Sequence, residues 1–93
     1  MALASFHNQV LELSGIICSG NVTETQSTIE CALDLVSHLV VSLDKINMLD
    51  LSGVFMLYLI QERARKKQKN IILTGTQNEA VKKAFNMAGV NIC

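Results

Sequence analysis

The residues with the most chemical potential lie together in Met48-Leu49-Asp50-Leu51-Ser52-Gly53. A carboxylate two positions before a hydroxyl offers three chemistries: metal ligation, orientation of a phosphoacceptor, or capping of a helix. Asp50 is a lone acid here, and such a carboxylate ahead of a helical pattern most often accepts the orphan N–H groups of the first turn. The Ser52 hydroxyl can accept a phosphoryl group or satisfy backbone groups of the same turn. Leu51, between them, has no hydroxyl and cannot be phosphorylated. Gly53 permits close packing of the helix start on the preceding strand. Farther on, Thr74, Thr76 and Gln77 follow an apolar run and are expected near the same sheet edge as Asp50. That edge hosts ligands in open α/β sheets, so it admits a small-ligand or nucleotide site, although nothing there cradles phosphates in the P-loop manner.

Other reactive side chains form no constellation. His7 and His38 are far from metal-ligand spacing, and Cys18, Cys31 and Cys93 make no C-x-x-C pair, which argues against zinc and any other metal. Cys18 and Cys31 read as buried thiols of a reducing compartment. No Ser-His-Asp set and no paired carboxylates in one turn can be argued, so an enzyme is disfavoured and no cofactor is implied. The formal net charge of zero gives no global field toward nucleic acid or anionic lipid. Five of the eight basic residues crowd into Arg63, Arg65, Lys66, Lys67 and Lys69. They read as the solvated C-terminal end of a helix, with a phosphate or acidic-partner patch as the alternative. Lys45 can pair with Asp44 or a partner.

No apolar stretch is long enough to span a bilayer, and the start lacks the basic and apolar regions of a secretory signal. A cytoplasmic protein is expected, in which the Asn21-Val22-Thr23 sequon carries no meaning.

The elements that would position the turn follow from periodicity. Ninety-three residues, about half of them apolar and none proline or tryptophan, suit one small globular domain over 1–93. Val10-Leu11-Glu12-Leu13 and Ile16-Ile17-Cys18 read as two short strands joined at Ser14-Gly15. Thr23 or Thr25 can cap a helix whose Ile29, Ala32, Leu33 and Val36 share a face. Leu39-Val40-Val41-Ser42-Leu43 is continuously apolar, as for a central strand covered on both faces. A helix from about Leu51 to Lys67 follows, apolar nearly all round at first and therefore buried there, then charged and wet. Ile71-Ile72-Leu73 reads as a short buried strand. Asn78 or Gln77 opens a last helix with Val81, Ala84, Phe85 and Ala88 on one face, ended by Gly89. Val90 to Cys93 can start a short last strand. The expected fold is α/β, a mixed sheet flanked by helices in the order β-β-α-β-α-β-α.

Across about residues 8 to 92, this order resembles the STAS domain, the fold of bacterial anti-sigma factor antagonists. Asp50-Leu51-Ser52-Gly53 matches the first, third and fourth positions of the family's Asp-Ser/Thr-Ser/Ala-Gly turn. Arg63-Ala64-Arg65-Lys66-Lys67, Leu73-Thr74-Gly75 and Phe85-Asn86-Met87-Ala88-Gly89-Val90 also look like the family. Order and spacing carry the resemblance, since no single motif is specific.

The resemblance implies a non-catalytic protein-binding module that docks through the Asp50–Gly53 turn and the exposed helix start. The expected partner is an anti-sigma factor of the histidine-kinase-like ATPase class, or another STAS protein. The alternative is a cytoplasmic STAS subunit of a transporter ATPase complex, whose turns commonly read Asp-Thr-Ala-Gly.

Two departures matter. Signalling members place a phosphorylated Ser or Thr where Leu51 stands, so partner switching by phosphate is excluded there, with Ser52 as the substitute acceptor. The earlier turn, Gly-x-Leu-Asp in many members, is Gly20-Asn21-Val22-Thr23. The chain also ends where the family adds a fifth strand and a closing helix, so it is expected to be a minimal version or a truncated one.

Overall fold

The computed structural model describes residues 2–89. Its elements are β1 (Ala2–His7), β2 (Val10–Ile17), α1 (Val22–Leu35), β3 (His38–Leu49), α2 (Leu51–Lys66), β4 (Asn70–Thr74) and α3 (Glu79–Ala88). The order β-β-α-β-α-β-α is the one the periodicities predict. The last strand expected at Val90 to Cys93, and Cys93 itself, lie outside the described residues.

The four strands form one mixed sheet in the order β1-β2-β3-β4. The β1 and β2 strands are antiparallel, while β2, β3 and β4 run parallel and are joined through the helices. The first hairpin corrects the expectation of two strands meeting at Ser14-Gly15. The turn is Asn8-Gln9, both with positive φ, the backbone form whose twist suits a two-residue hairpin. Without an Asn-Gly or Asp-Gly pair, the sequence carries no strong signal for it. Ser14-Gly15 lies inside β2 instead, where the register against β3 shifts between Glu12 and Ser14 and again between Gly15 and Ile16. Gly15 adopts φ 91°, so the break in alternation is a bulge rather than a turn.

The core lies between the sheet and the helices. Leu11, Leu13 and Ile17 of β2 and Leu39, Val41, Leu43, Ile46 and Leu49 of β3 meet Ile29 and Leu33 of α1, Val54, Leu57 and Ile60 of α2, and Val81 and Phe85 of α3. The helices cover one face only. On the other, the strand pairing aligns His7, Val10, Val40 and Ile72 in one row, and none of the four is buried. This corrects two expectations. The apolar run of β3 is not covered on both faces by helices, and β4 is a half-buried edge strand with Ile72 54% exposed.

Helix α1 starts two residues earlier than a Thr23 cap requires and four earlier than a Thr25 cap requires. Asn21 occupies the cap position, but its side chain serves the preceding loop: Oδ1 accepts from Cys18 N–H at 2.9 Å and Nδ2 donates to the Ile16 carbonyl at 2.8 Å. Thr25 is buried within the first turn, its hydroxyl donating to the Asn21 carbonyl. Cys31 is exposed and Cys18 half-buried, against the expectation of two buried thiols. Cys31 falls on the outer side of a helix that turns Ile29, Ala32 and Leu33 inward.

The basic end of α2 is tied to α1. Arg63 pairs with Glu30 at 2.6 Å, Lys67 with Asp34 at 3.7 Å, and Lys69 Nζ donates at 2.7 Å to the Leu33 carbonyl in the last turn of α1, which also accepts the Val36 N–H. Arg65 pairs with Glu62 in its own helix. Arg63, Lys67 and Lys69 thus tie α2 to α1, while Arg65 and Lys66 stay exposed at the helix end.

Candidate functional site

Asp50 ends β3 and caps α2. Its backbone N–H donates to the Ile17 carbonyl at 3.1 Å, continuing the sheet pairing to the very end of the strand. Oδ1 accepts from the Gly53 N–H at 3.0 Å, and Oδ2 accepts from the Ser19 N–H at 3.0 Å. Both carboxylate oxygens therefore hold backbone donors, one on the helix start and one on the β2–α1 loop. Of the three chemistries open to Asp50, capping is the one this geometry uses. The negative charge also faces the positive end of the helix dipole.

Gly53 has a packing reason. A Cβ there runs into Leu49 Cδ1 and lies 3.0 Å from Ile17 Cγ2, so the glycine lets α2 begin directly on β2 and β3 without displacing the Leu49 side chain. Ser52 is half-buried, and the Gly53 N–H beside it is already taken by Asp50.

Leu51 opens an apolar stripe. Burial along α2 selects Gly53, Val54, Met56, Leu57, Ile60 and Ala64. The expectation that the whole apolar first half is buried is corrected: Leu51, Phe55, Tyr58 and Leu59 are 44%, 55%, 52% and 43% exposed. Their spacing of i, i+4, i+7 and i+8 puts them on one face. A helix resting on a single sheet face has a side left over, and here that side is apolar too.

The stripe meets a groove of about 1140 Å³ between the end of β3, the start of α2 and α3. Met48 and Met87 stand on its flanks, 53% and 70% exposed, with Lys82 and Lys83 along α3. Met48, Leu51 and Met87 line the groove, and Phe55, Tyr58 and Leu59 extend the exposed apolar surface along α2. Sequence reasoning found Leu51 but missed Met48, Phe55, Tyr58, Leu59 and Met87. The i, i+4, i+7, i+8 repeat was available, yet in a run apolar all round it does not reveal which face is covered.

Thr74, Thr76 and Gln77 do not join the turn. Thr74 is opposite Ser42 in the β3–β4 register, and β3 runs on for seven further residues before Asp50. The β4–α3 loop packs at Asp44 instead. Gly75, with φ 79°, brings the loop so close that a Cβ would run into the Asp44 backbone N–H. Asn78 then pins α3 to the middle of β3. Its Oδ1 caps the helix by accepting from the Ala80 N–H at 2.9 Å, while Nδ2 donates to the carbonyls of Leu43, Asp44 and Ile46 at 3.0, 3.2 and 2.8 Å. Of Asn78 and Gln77, Asn78 is the cap, and this anchor sets the groove's far wall. Lys45 pairs with Glu12 on the neighbouring strand at 3.3 Å rather than with Asp44.

No described helix is long and apolar enough to cross a membrane.

Comparison with known proteins agrees with this architecture. No curated protein matches the sequence. The solved structure of the unphosphorylated anti-sigma factor antagonist SpoIIAA superposes with a TM-score of 0.71 at 17% identity, over 97% of this chain and 82% of that one. An anti-sigma factor antagonist from Mycobacterium paratuberculosis superposes equally well, with a TM-score of 0.71 at 20% identity, over 96% of this chain and 77% of the other. At such identities the likeness is one of fold. A family model described as "Mlab, STAS domain" matches residues 2–92. That match spans nearly the whole sequence, and the chain belongs to the STAS domain family.

Proposed function

We propose that this domain is a non-catalytic protein-binding module of the anti-sigma factor antagonist type, docking its partner through the Asp50–Gly53 turn and the outer face of α2 without a phosphate switch at the usual position. The observation that carries the reading is Leu51. By the family resemblance it stands where signalling STAS domains present a hydroxyl; it is 44% exposed and shares its helix face with the exposed Phe55, Tyr58 and Leu59. Contiguous apolar exposure of this kind marks protein–protein contact surfaces, because covering it removes apolar area from water.

The position of Ser52 supports the same reading. A phosphate there would add nearly two negative charges beside the Asp50 carboxylate, in a half-buried turn, and like-charge repulsion and desolvation oppose it. Binding is then constitutive, or regulated elsewhere. By family resemblance, the partner is an anti-sigma factor of the kinase-like ATPase class or another STAS protein, met in the cytoplasm.

The test uses the domain as bait in lysate of its native cell, beside a Leu51→Asp variant whose fold is verified by its thermal transition. The expected result is capture of a kinase-like anti-sigma factor or a STAS protein by the parent and loss of that protein by the variant. Equal capture by both refutes the docking face. Capture of a transporter ATPase keeps the face but replaces the antagonist role with that of a transporter subunit.

A further inference from the structure

We propose that the chain pairs with a second copy of itself along the outer edge of β4, joining two sheets into one. The β4 strand ends the sheet order, so its outer edge has no strand beside it among the described residues. The Asn70 N–H points inward, donating to the Ser37 carbonyl at 3.0 Å. Backbone groups alternate in direction along a strand, so those of Ile72 and Thr74 also face β3, and the N–H and C=O of Ile71 and Leu73 face outward. Such an edge templates further pairing unless a bulge, a proline or a charged side chain blunts it. Asn70–Thr74 holds none of the three, since its register with β3 is continuous and its residues are uncharged. Lys69, just before it, is drawn off to the Leu33 carbonyl.

The pattern of the strand selects the occupant. A two-fold axis normal to the sheet and centred on Ile72 sets β4 antiparallel to its copy, with Ile72 opposite Ile72, Ile71 opposite Leu73 and Asn70 opposite Thr74. A two-fold interface must be self-complementary, and this strand is. Its polar ends meet, its half-buried Ile71 and Leu73 meet on the helix face, and Ile72, 54% exposed, meets its own copy on the open face. Hydrogen bonding falls into the same register. Antiparallel strands bond through alternate opposing pairs, and Ile71 and Leu73, which carry the outward groups, form those pairs and leave no outward group unmatched. The row of Val10, Val40 and Ile72 on the open face then continues into its copy. The other edge, β1, lacks this symmetry: a centre on Ala4 sets Leu3 against Ser5, and a centre on Ser5 sets Leu3 against His7. Because β4 lies beside the start of β3 and Asp50 follows its end, this surface is separate from the docking face.

One strand pair is a small interface, so a weak, concentration-dependent dimer is expected, with a Kd below about 1 mM in sedimentation equilibrium. Amide exchange at Ile71 and Leu73 should slow as the protein concentration rises. Ile72→Lys alters an exposed side chain and sets like charges opposite each other, so it should keep the thermal transition and raise Kd at least about tenfold. Register is tested after Cys18, Cys31 and Cys93 are replaced by serine. Ile72→Cys should then give a disulfide-linked dimer on mild oxidation, since opposing non-bonded residues have Cα atoms roughly 4.5 Å apart, within disulfide reach. Asn70→Cys should not, because it faces Thr74 rather than its own copy. A chain that stays monomeric at millimolar concentration, a dimer indifferent to Ile72→Lys, or equal cross-linking by the two cysteines overturns the proposal. So does protection of the Ile71 and Leu73 amides in dilute monomer, which would mean that the chain covers this edge itself.

Discussion

If Asp50 serves the chain as a two-sided cap, its two oxygens should be separable by mutation. Asp50→Ala removes the bond to the Gly53 N–H and the bond to the Ser19 N–H together. Loss of an N-cap costs about 1 kcal/mol. The second bond, charge-assisted but on an exposed loop, adds roughly 1 kcal/mol more. The sum, about 2 kcal/mol, lowers the melting temperature of a domain this size by on the order of 10 °C. Asp50→Asn is the discriminating variant. Asn caps helices as well as Asp does, so its one remaining acceptor stays on Gly53 while its NH2 group turns toward Ser19 and loses that bond. The expected cost is about half that of the alanine variant, roughly 1 kcal/mol. Urea unfolding at constant slope gives both values, and amide exchange identifies the group released. The Ser19 amide should exchange faster in both variants, and the Gly53 amide only in Asp50→Ala. Equal destabilisation by the two substitutions, or an unchanged Ser19 amide, would refute the two-sided cap and reopen Asp50 as a group held for a partner.

Other consequences bear on the groove's far wall. Asn78→Ala should cost roughly 2–3 kcal/mol in urea unfolding, since it removes a cap and leaves strand carbonyls short of a donor. Asn78→Asp keeps the cap but turns a carboxylate toward the Leu43, Asp44 and Ile46 carbonyls, so it should be no more stable than the alanine variant. Gly75→Ala and Gly89→Ala form a matched pair, as both residues have positive φ but only Gly75 has the Asp44 backbone within reach of a new Cβ. The Gly89 variant should lose about 1 kcal/mol for the left-handed backbone, and the Gly75 variant distinctly more. Equal losses would mean that the β4–α3 loop does not approach β3 closely.

Periodicity in the sequence is enough to determine the elements from α1 onward and the cap at Asp50, because both rest on local patterns: a β-branched run, an acid before a helical repeat, Asn78 and Gly89 at the ends of the last helix; the first strand, Ala2–His7, is not legible in it. Leu51 is likewise legible as a residue without a hydroxyl. Tertiary packing decided the rest. Whether Ser14-Gly15 joins two strands or bulges one depends on the partner strand, which no local window contains. Which sides of β3 and α2 are covered depends on all the helices lying on one face of the sheet, so an evenly apolar helix conceals a buried stripe and an exposed one. The placement of Thr74 beside Ser42 rather than near Asp50 follows from β3 running seven residues past its partner. The groove's far wall is placed by the core packing of Val81 and Phe85 and by Asn78, which fastens α3 to β3 across more than thirty residues of chain, a contact that depends on the folded carbonyls of Leu43 to Ile46 converging on one amide.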